Sequence, residues 1–261
     1  MTPRMVALDI DGTLVDPYEH VSPEVHAAVH RALDAGVHVV LSTGRSVYGI
    51  GRLIDALDLG DGVAVASNGA VTFTYAPIDI RSAVTFDPRQ AVELLLERVP
   101  DALVAVEMIG RGYRVNRHFP QGEITGEMWL QSVDELVADP VTRVIIRDPT
   151  ASAEEFVEIA TTLGLAGTNY YVGYTAWLDL APAGVSKASA LADIAKSLNV
   201  DRSEVLAIGD GRNDISMLEW AGRGVAMGQA PSSVREAADD VTGSLADDGV
   251  AAELDRWFPA D

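Results

Sequence analysis

The chain contains no cysteine. Disulfides, thiolate zinc centres and cysteine nucleophiles are therefore excluded. No apolar run approaches the roughly 18 residues that a membrane-spanning helix needs. Lys and Arg together number 19 against 39 Asp and Glu, and the formal net charge is −20. No run of Lys or Arg occurs either, which argues against a nucleic-acid partner, because phosphate backbones are held by basic patches. The same charge repels anionic ligands at long range, so any phosphate site must bring its own local positive groups or a metal. The first residues lead into a strand-like run without the apolar core of a secretion signal. The expectation is a cytoplasmic protein with no membrane or nucleic-acid partner, either a monomer or a weak homodimer. What the chain does have is bulk: 261 residues, 48% of them hydrophobic, are enough for one large core or two smaller ones.

The residue pattern predicts an α/β fold in two parts. Val6–Ile10, Val37–Leu41 and Val63–Ala66 read as near-continuous apolar strands. The helices between them include one opened by Ser22-Pro23, with Ser as N-cap and Pro at the first helical position. Another is expected over Ser46–Leu57. Strand–helix alternation of this kind implies a doubly wound, mainly parallel, Rossmann-like sheet covered on both faces. Near residue 80 the rhythm changes. A helix from Asp87-Pro88 to Val99, a hairpin from Leu103–Met108 and Gly112–Asn116, and a helix at Val133–Ala138 follow. A strand at Val141–Arg147, a helix at Ser152–Leu163 and paired strands at Tyr170–Val172 and Trp177–Leu180 complete an α+β module. From Lys187 the first rhythm resumes, with a strand at Val205–Ile208 and a helix at Asn213–Trp220. Residues 81–183 thus read as an insertion into a core made of 1–80 and 184–261.

The polar residues fall where the apolar strands end. Asp9 and Asp11 stand two apart at the end of the first strand, just before Gly12-Thr13. Residues i and i+2 on a strand face the same way, so two carboxylates are expected side by side. That costs free energy unless a cation or proton offsets it. Thr43-Gly44-Arg45 follows the second strand, and a hydroxyl with free backbone N–H groups there suits an anion. Ser67-Asn68-Gly69-Ala70 follows the third. Lys187 opens a helix, a place where the partly positive helix end disfavours a cation and an intervening anion would relieve the conflict. Gly209-Asp210-Gly211-Arg212-Asn213-Asp214 ends another apolar strand with carboxylates, hard oxygen donors suited to Mg²⁺. Singly, each has an ordinary explanation as a turn or a cap.

Together, in this order and spacing, these residues resemble the haloacid dehalogenase-like hydrolase superfamily, in its Cof-like branch, whose α/β cap is inserted between the second and third motifs. One departure is Lys187-Ala188, where relatives usually have Lys-Gly. The resemblance implies that Asp9 is the nucleophile and forms an aspartyl-phosphate, while Asp11 is the acid and then the base. It implies Mg²⁺ held by Asp9, the Asp11 carbonyl and Asp210, with Asp214 acting through water. Thr43, Lys187 and Asn213 would hold the phosphoryl oxygens, with Gly44, Arg45, Asn68 and Gly69 lining the phosphate and substrate site. The cap would select the substrate, with Arg114, Arg117, His118, Arg147, Asn169 and Trp177 as candidate selectors. The expected activity is a Mg²⁺-dependent phosphomonoesterase acting on a small phosphate ester, sugar phosphates first. A sugar phosphomutase and a non-catalytic phosphate-binding module are the other readings.

Overall fold

The computed structural model of the protein describes residues 2–149, 151, 152, 158, 168–172 and 177–260. Two compact units are present: residues 1–44, 51–81 and 186–261 form the first, and residues 45–50 and 82–185 the second.

The first unit is built on an eight-stranded sheet, of whose residues only Ser82 and Ala83, the last two of one strand, are counted with the second unit. Its strands are β1 (Met5–Leu8), β2 (His38–Ser42), β3 (Gly62–Ala66), β4 (Val71–Tyr75), β5 (Asp79–Ala83), β12 (Val205–Gly209), β13 (Arg223–Ala226) and β14 (Asp240–Val241). They lie in the order β14-β13-β12-β1-β2-β3-β4-β5. The central strands β13, β12, β1, β2 and β3 pair in parallel, and β14 continues them. β1 is buried along its whole length, as a strand covered on both faces should be. Met5, Ala7, Val40 and Val65 pack on one face with Leu191 and Ile194 of the helix Lys187–Ser197 and with Met217 and Leu218. The helix Pro23–Asp34 packs against the helix Gly249–Asp255. Ser22 caps the former, its Oγ accepting from Val25 N at 3.1 Å, an arrangement worth about 1 kcal/mol.

The second unit carries a six-stranded sheet. Its strands are β6 (Leu103–Met108), β7 (Gly112–Val115), β8 (Glu127–Leu130), β9 (Val144–Arg147), β10 (Thr168–Val172) and β11 (Trp177–Pro182). They lie in the order β10-β11-β9-β6-β7-β8. All pairs are antiparallel except β7 with β8. Val104, Val106, Val144, Ile146, Leu178 and Leu180 pack with Val92, Leu95 and Leu136 of the adjoining helices. Leu103, Ala105, Val115 and Ile145 form a second cluster with Tyr113 and Phe119. In this unit Arg143 is buried and pairs bidentately with Asp179, Nε to Oδ1 at 2.8 Å and Nη2 to Oδ2 at 2.9 Å.

Several elements differ from the sequence expectation. The first strand ends at Leu8 rather than Ile10. The segment expected as one helix over Ser46–Leu57 is a 3-10 turn at Val47–Ile50 followed by the helix Gly51–Ala56. The helix expected from Asn213 likewise starts as a 3-10 turn at Arg212–Asp214. The strands β4, β5 and β8 have no counterpart in the expectation. The helix expected over Ser152–Leu163 lies outside the described residues, apart from Ser152 and Glu158. Among the described residues, no helix is long and apolar enough to cross a membrane.

Candidate active site

Because β12, β1, β2 and β3 run parallel and adjacent, their C-terminal ends share one edge of the sheet, the place where open α/β sheets bind ligands. Asp9 follows β1, its N–H donating to Ile208 O at 3.0 Å. Thr43 follows β2 and is buried, its N–H donating to Val65 O at 2.9 Å. Asn68 follows β3, and Asp210 follows β12. One carboxylate oxygen from each of Asp9, Asp210 and Asp214 lies within 4.8 Å of the other two, and all three residues are buried.

Lys187 reaches this cluster from the first turn of its helix, where Ser186 is the N-cap. Its side chain is fully buried, and Nζ donates to Asp9 Oδ1 and to Asp214 Oδ1, each at 2.5 Å. The anions that offset a lysine at a helix N-terminus are thus the protein's own carboxylates. The other oxygen of Asp214, Oδ2, accepts from the backbone N–H groups of Asp210 at 3.0 Å and Gly211 at 2.8 Å. With both oxygens engaged, Asp214 fixes the 210–214 turn and steadies the lysine. Asp210 in turn accepts from Thr13 Oγ1 at 3.3 Å. Asn213 Nδ2 donates to Asn68 Oδ1 at 2.9 Å, tying the end of β12 to the end of β3.

Three carboxylates against one ammonium leave the cluster negative. Burial, and then the charge of Asp214, push the Asp210 carboxyl up to about 6. Burial and Asp214 also raise Asp9 well above the usual carboxylate range, against the opposing pull of Lys187. Burial alone would lower the Lys187 ammonium, but Asp214 and Asp9 outweigh it and hold the group above its ordinary value. Every one of these directions expresses the same imbalance: a cation among these oxygens would relieve it.

Close packing of backbone on side chain explains the glycines. Gly12 adopts φ +82°, and a Cβ there would stand 2.4 Å from Asp210 Oδ2. Gly69, at φ +106°, would place a Cβ 2.2 Å from Ser186 O, so the Asn68-Gly69 turn abuts the start of the lysine helix. Asn68 itself takes φ 54°, a left-handed conformation that Asn tolerates better than most residues.

The expected residues do not all converge. Asp11 is exposed and stands outside the three-carboxylate cluster. β1 stops at Leu8 and the chain turns from Ile10 to Val15, so Asp9 and Asp11 follow the strand rather than lying within it. Gly44 packs beside Asn68, where an added Cβ would stand 3.1 Å from Asn68 Oδ1. Arg45 groups with the second unit, where its Nη1 donates to Gly49 O at 3.1 Å. Of the candidate selectors, Arg117 faces Asp101 at 3.5 Å and Arg147 faces Glu123 at 3.3 Å. Asn169 donates to Val185 O at 2.6 Å, and Trp177 packs edge-on to Phe119. Arg114 is half-buried and His118 exposed. Two residues have supporting roles that the sequence reading does not assign. Thr13 steadies Asp210, and Gln229 donates from Nε2 to Gly12 O at 2.6 Å while accepting from Leu245 N at 3.0 Å. Thr13 closes the first recognised motif, but Gln229 sits in a loop with no local signal.

A family profile of haloacid dehalogenase-like hydrolases matches residues 6–254. The chain belongs to this family. It is 30% identical to the 5-amino-6-(5-phospho-D-ribitylamino)uracil phosphatase YcsE of Bacillus subtilis over 256 residues, covering 97% of this chain and 95% of that one. It is also 30% identical to the pyridoxal phosphate phosphatase YbhA of Escherichia coli, covering 96% and 97%. Among solved structures, the phosphatase BT1666 from Bacteroides thetaiotaomicron superposes with a TM-score of 0.82 at 28% identity, covering 99% of this chain and 96% of that one. The chain is thus a haloacid dehalogenase-like enzyme of the phosphatase kind. In such an enzyme the carboxylates at the strand ends are the natural candidates for the chemistry.

Proposed function

We propose that this haloacid dehalogenase-like hydrolase is a Mg²⁺-dependent phosphomonoesterase that works through an aspartyl-phosphate on Asp9. The observation that carries the reading is the buried cluster at the strand ends, where the Lys187 ammonium bridges Asp9 and Asp214 beside Asp210. In this reading Asp9 attacks phosphorus with a carboxylate oxygen. The bond to the leaving alcohol breaks, and Asp11 gives that oxygen its proton. Asp11 then takes a proton from a water that attacks the phosphorus, and inorganic phosphate departs while the Asp9 carboxylate is restored. Lys187, Thr43 and Asn213 orient the phosphoryl oxygens, so most of the acceleration comes from positioning and electrostatics.

The donor set fits Mg²⁺: buried, hard carboxylate oxygens with an excess of negative charge. Asp9, Asp210 and the Asp11 carbonyl would hold it, and Asp214, whose oxygens are both engaged, would act through water. Bound there, Mg²⁺ would screen the repulsion between a carboxylate and an anionic phosphate.

The substrate is a small phosphate ester, with sugar phosphates first, and its choice is assigned to the second unit. The names of the related enzymes specify a phosphoribityl compound and pyridoxal phosphate, both small phosphate esters. The test is phosphate release from a panel of sugar phosphates, nucleotides and small phosphoacids, with Mg²⁺ or EDTA, on wild type and Asp9→Asn. Release that needs Mg²⁺ and vanishes in Asp9→Asn is expected. Conversion of a hexose 1-phosphate to its 6-phosphate without free phosphate would make the protein a mutase instead.

A further inference from the structure

The strand β5 (Asp79–Ala83) ends the eight-stranded sheet and, among the described residues, has a strand neighbour, β4, on one side only. All five of its residues are exposed, so neither face is covered. Exposed apolar side chains gather along it: Ile80 at 38%, with Ile78 at 59% and Val84 at 42% on its flanks. Proteins usually guard a free sheet edge with charges, proline, a bulge or a covering element. This edge carries two charges, but of opposite sign. Asp79 and Arg81 share a face, 3.8 Å apart, on either side of Ile80.

The order acid–apolar–base is complementary to itself. Consider two copies paired antiparallel about a two-fold axis perpendicular to the sheet. Directly opposed residues must lie on the same face, so the axis passes through a residue rather than between two. Centred on Ile80, the register sets Asp79 of each copy against Arg81 of the other and Ile80 against Ile80. Centred on Arg81 it opposes two arginines, and centred on Asp79 two aspartates. Cross-strand pairs of opposite charge stabilise a ladder and like charges oppose it, so the side chains choose the first register.

We propose that β5 is a self-association edge through which two copies of this chain join by antiparallel pairing centred on Ile80. A second copy is the occupant because the charge order complements itself. Main-chain hydrogen bonds would supply the attraction, and the side chains the register. A single strand pair buries far less than the roughly 800 Å² per partner of a stable interface, so the dimer is weak and concentration-dependent.

The experiment is sedimentation equilibrium of the full chain over a concentration series for wild type, Asp79→Arg, Arg81→Asp and the double charge swap. Wild type should dimerise. Each single change turns both symmetric attractions into repulsions and should weaken dimerisation by about tenfold or more. The double swap restores the opposite pairs and should restore the dimer. All these side chains are exposed, and unchanged circular dichroism and melting temperature would confirm that every variant folds. A wild type that stays monomeric overturns the proposal and leaves the edge to another kind of partner. A dimer indifferent to the single changes, or one that the double swap does not rescue, overturns it equally.

Discussion

Replacing Lys187 by methionine keeps much of the side chain's bulk and removes its charge. Asp9 and Asp214 would then be buried without the ammonium that now lies 2.5 Å from each. Breaking a buried ion pair from one side costs about 3–5 kcal/mol, because the remaining charge is left uncompensated. At about 2–4 °C per kcal/mol for a chain of this size, melting should fall by roughly 6–20 °C. The loss should also depend on pH. Asp9 is already raised by burial and by Asp214, and Lys187 is the group that lowers it. Without the lysine, the folded state holds the proton on Asp9 to higher pH than the unfolded chain does. A carboxyl raised on folding favours the folded state below its unfolded pKa of about 3.9, and that advantage is lost as pH rises through the folded value. The deficit should therefore be smallest near about pH 4 and largest near neutrality. Thermal melts of both proteins in EDTA across that range measure it. Adding Asp214→Asn to the variant should return part of the loss, since one uncompensated charge disappears. A deficit that is the same at every pH, or one under about 1 kcal/mol, would refute the view that Lys187 compensates buried charge.

Asp210, raised to about 6 chiefly by burial and Asp214, favours the metal-free fold below its unfolded value and loses that contribution as pH rises through about 6; Asp210→Asn should flatten this part of the melting profile, and Mg²⁺ should raise wild-type melting more above that pH than below it. Gly12→Ala would force a methyl to within 2.4 Å of Asp210 Oδ2 at φ +82°, at a cost of about 1–3 kcal/mol, and calorimetric titration should show weakened Mg²⁺ binding. Glu253 is buried and accepts from Arg223 Nε at 2.8 Å, Arg256 Nη1 at 3.1 Å and Trp257 Nε1 at 3.1 Å. Glu253→Ala should cost about 1–3 kcal/mol in denaturant unfolding through the unpaired donors, with phosphate release per folded molecule unchanged.

The elements that can be read in advance are those whose signal is local. Ser22-Pro23 marks its helix because an N-cap and a first-turn proline act within one turn. The paired strands Leu103–Met108 and Gly112–Val115 are legible because a short turn joins two apolar runs. β5 is invisible for the opposite reason: with every residue exposed, nothing forces an apolar pattern onto it. β4 does alternate, with Val71, Phe73 and Tyr75 buried and Thr72 and Thr74 less so, but it follows a turn that reads as the end of its predecessor. That Asp9 and Asp11 lie beyond the first strand has a definite cause. The i, i+2 rule holds only while the chain stays extended, and here the strand ends one residue before Asp9. The positive φ of Gly12 belongs to the tight turn that follows. Gln229 lies beyond sequence reasoning because its partners, Gly12 and Leu245, come from distant parts of the chain.

The charge count of the site constrains how a phosphate could enter it. Lys187 is the cation at the centre of the cluster, and its ammonium is already shared between two carboxylates. A phosphate arriving at the metal-free site would meet three acidic groups and a lysine whose charge is spent on them. In a buried, low-dielectric setting that repulsion is large. Protonation of Asp210 relieves part of it, but only below about 6. Near neutrality a divalent cation, bound as proposed above, would reverse the local charge. Cation and phosphate should therefore bind with strong positive coupling, each raising the affinity of the other by the same factor. The acidity of the chain as a whole, at −20, sharpens this dependence, since no long-range attraction draws the anion in.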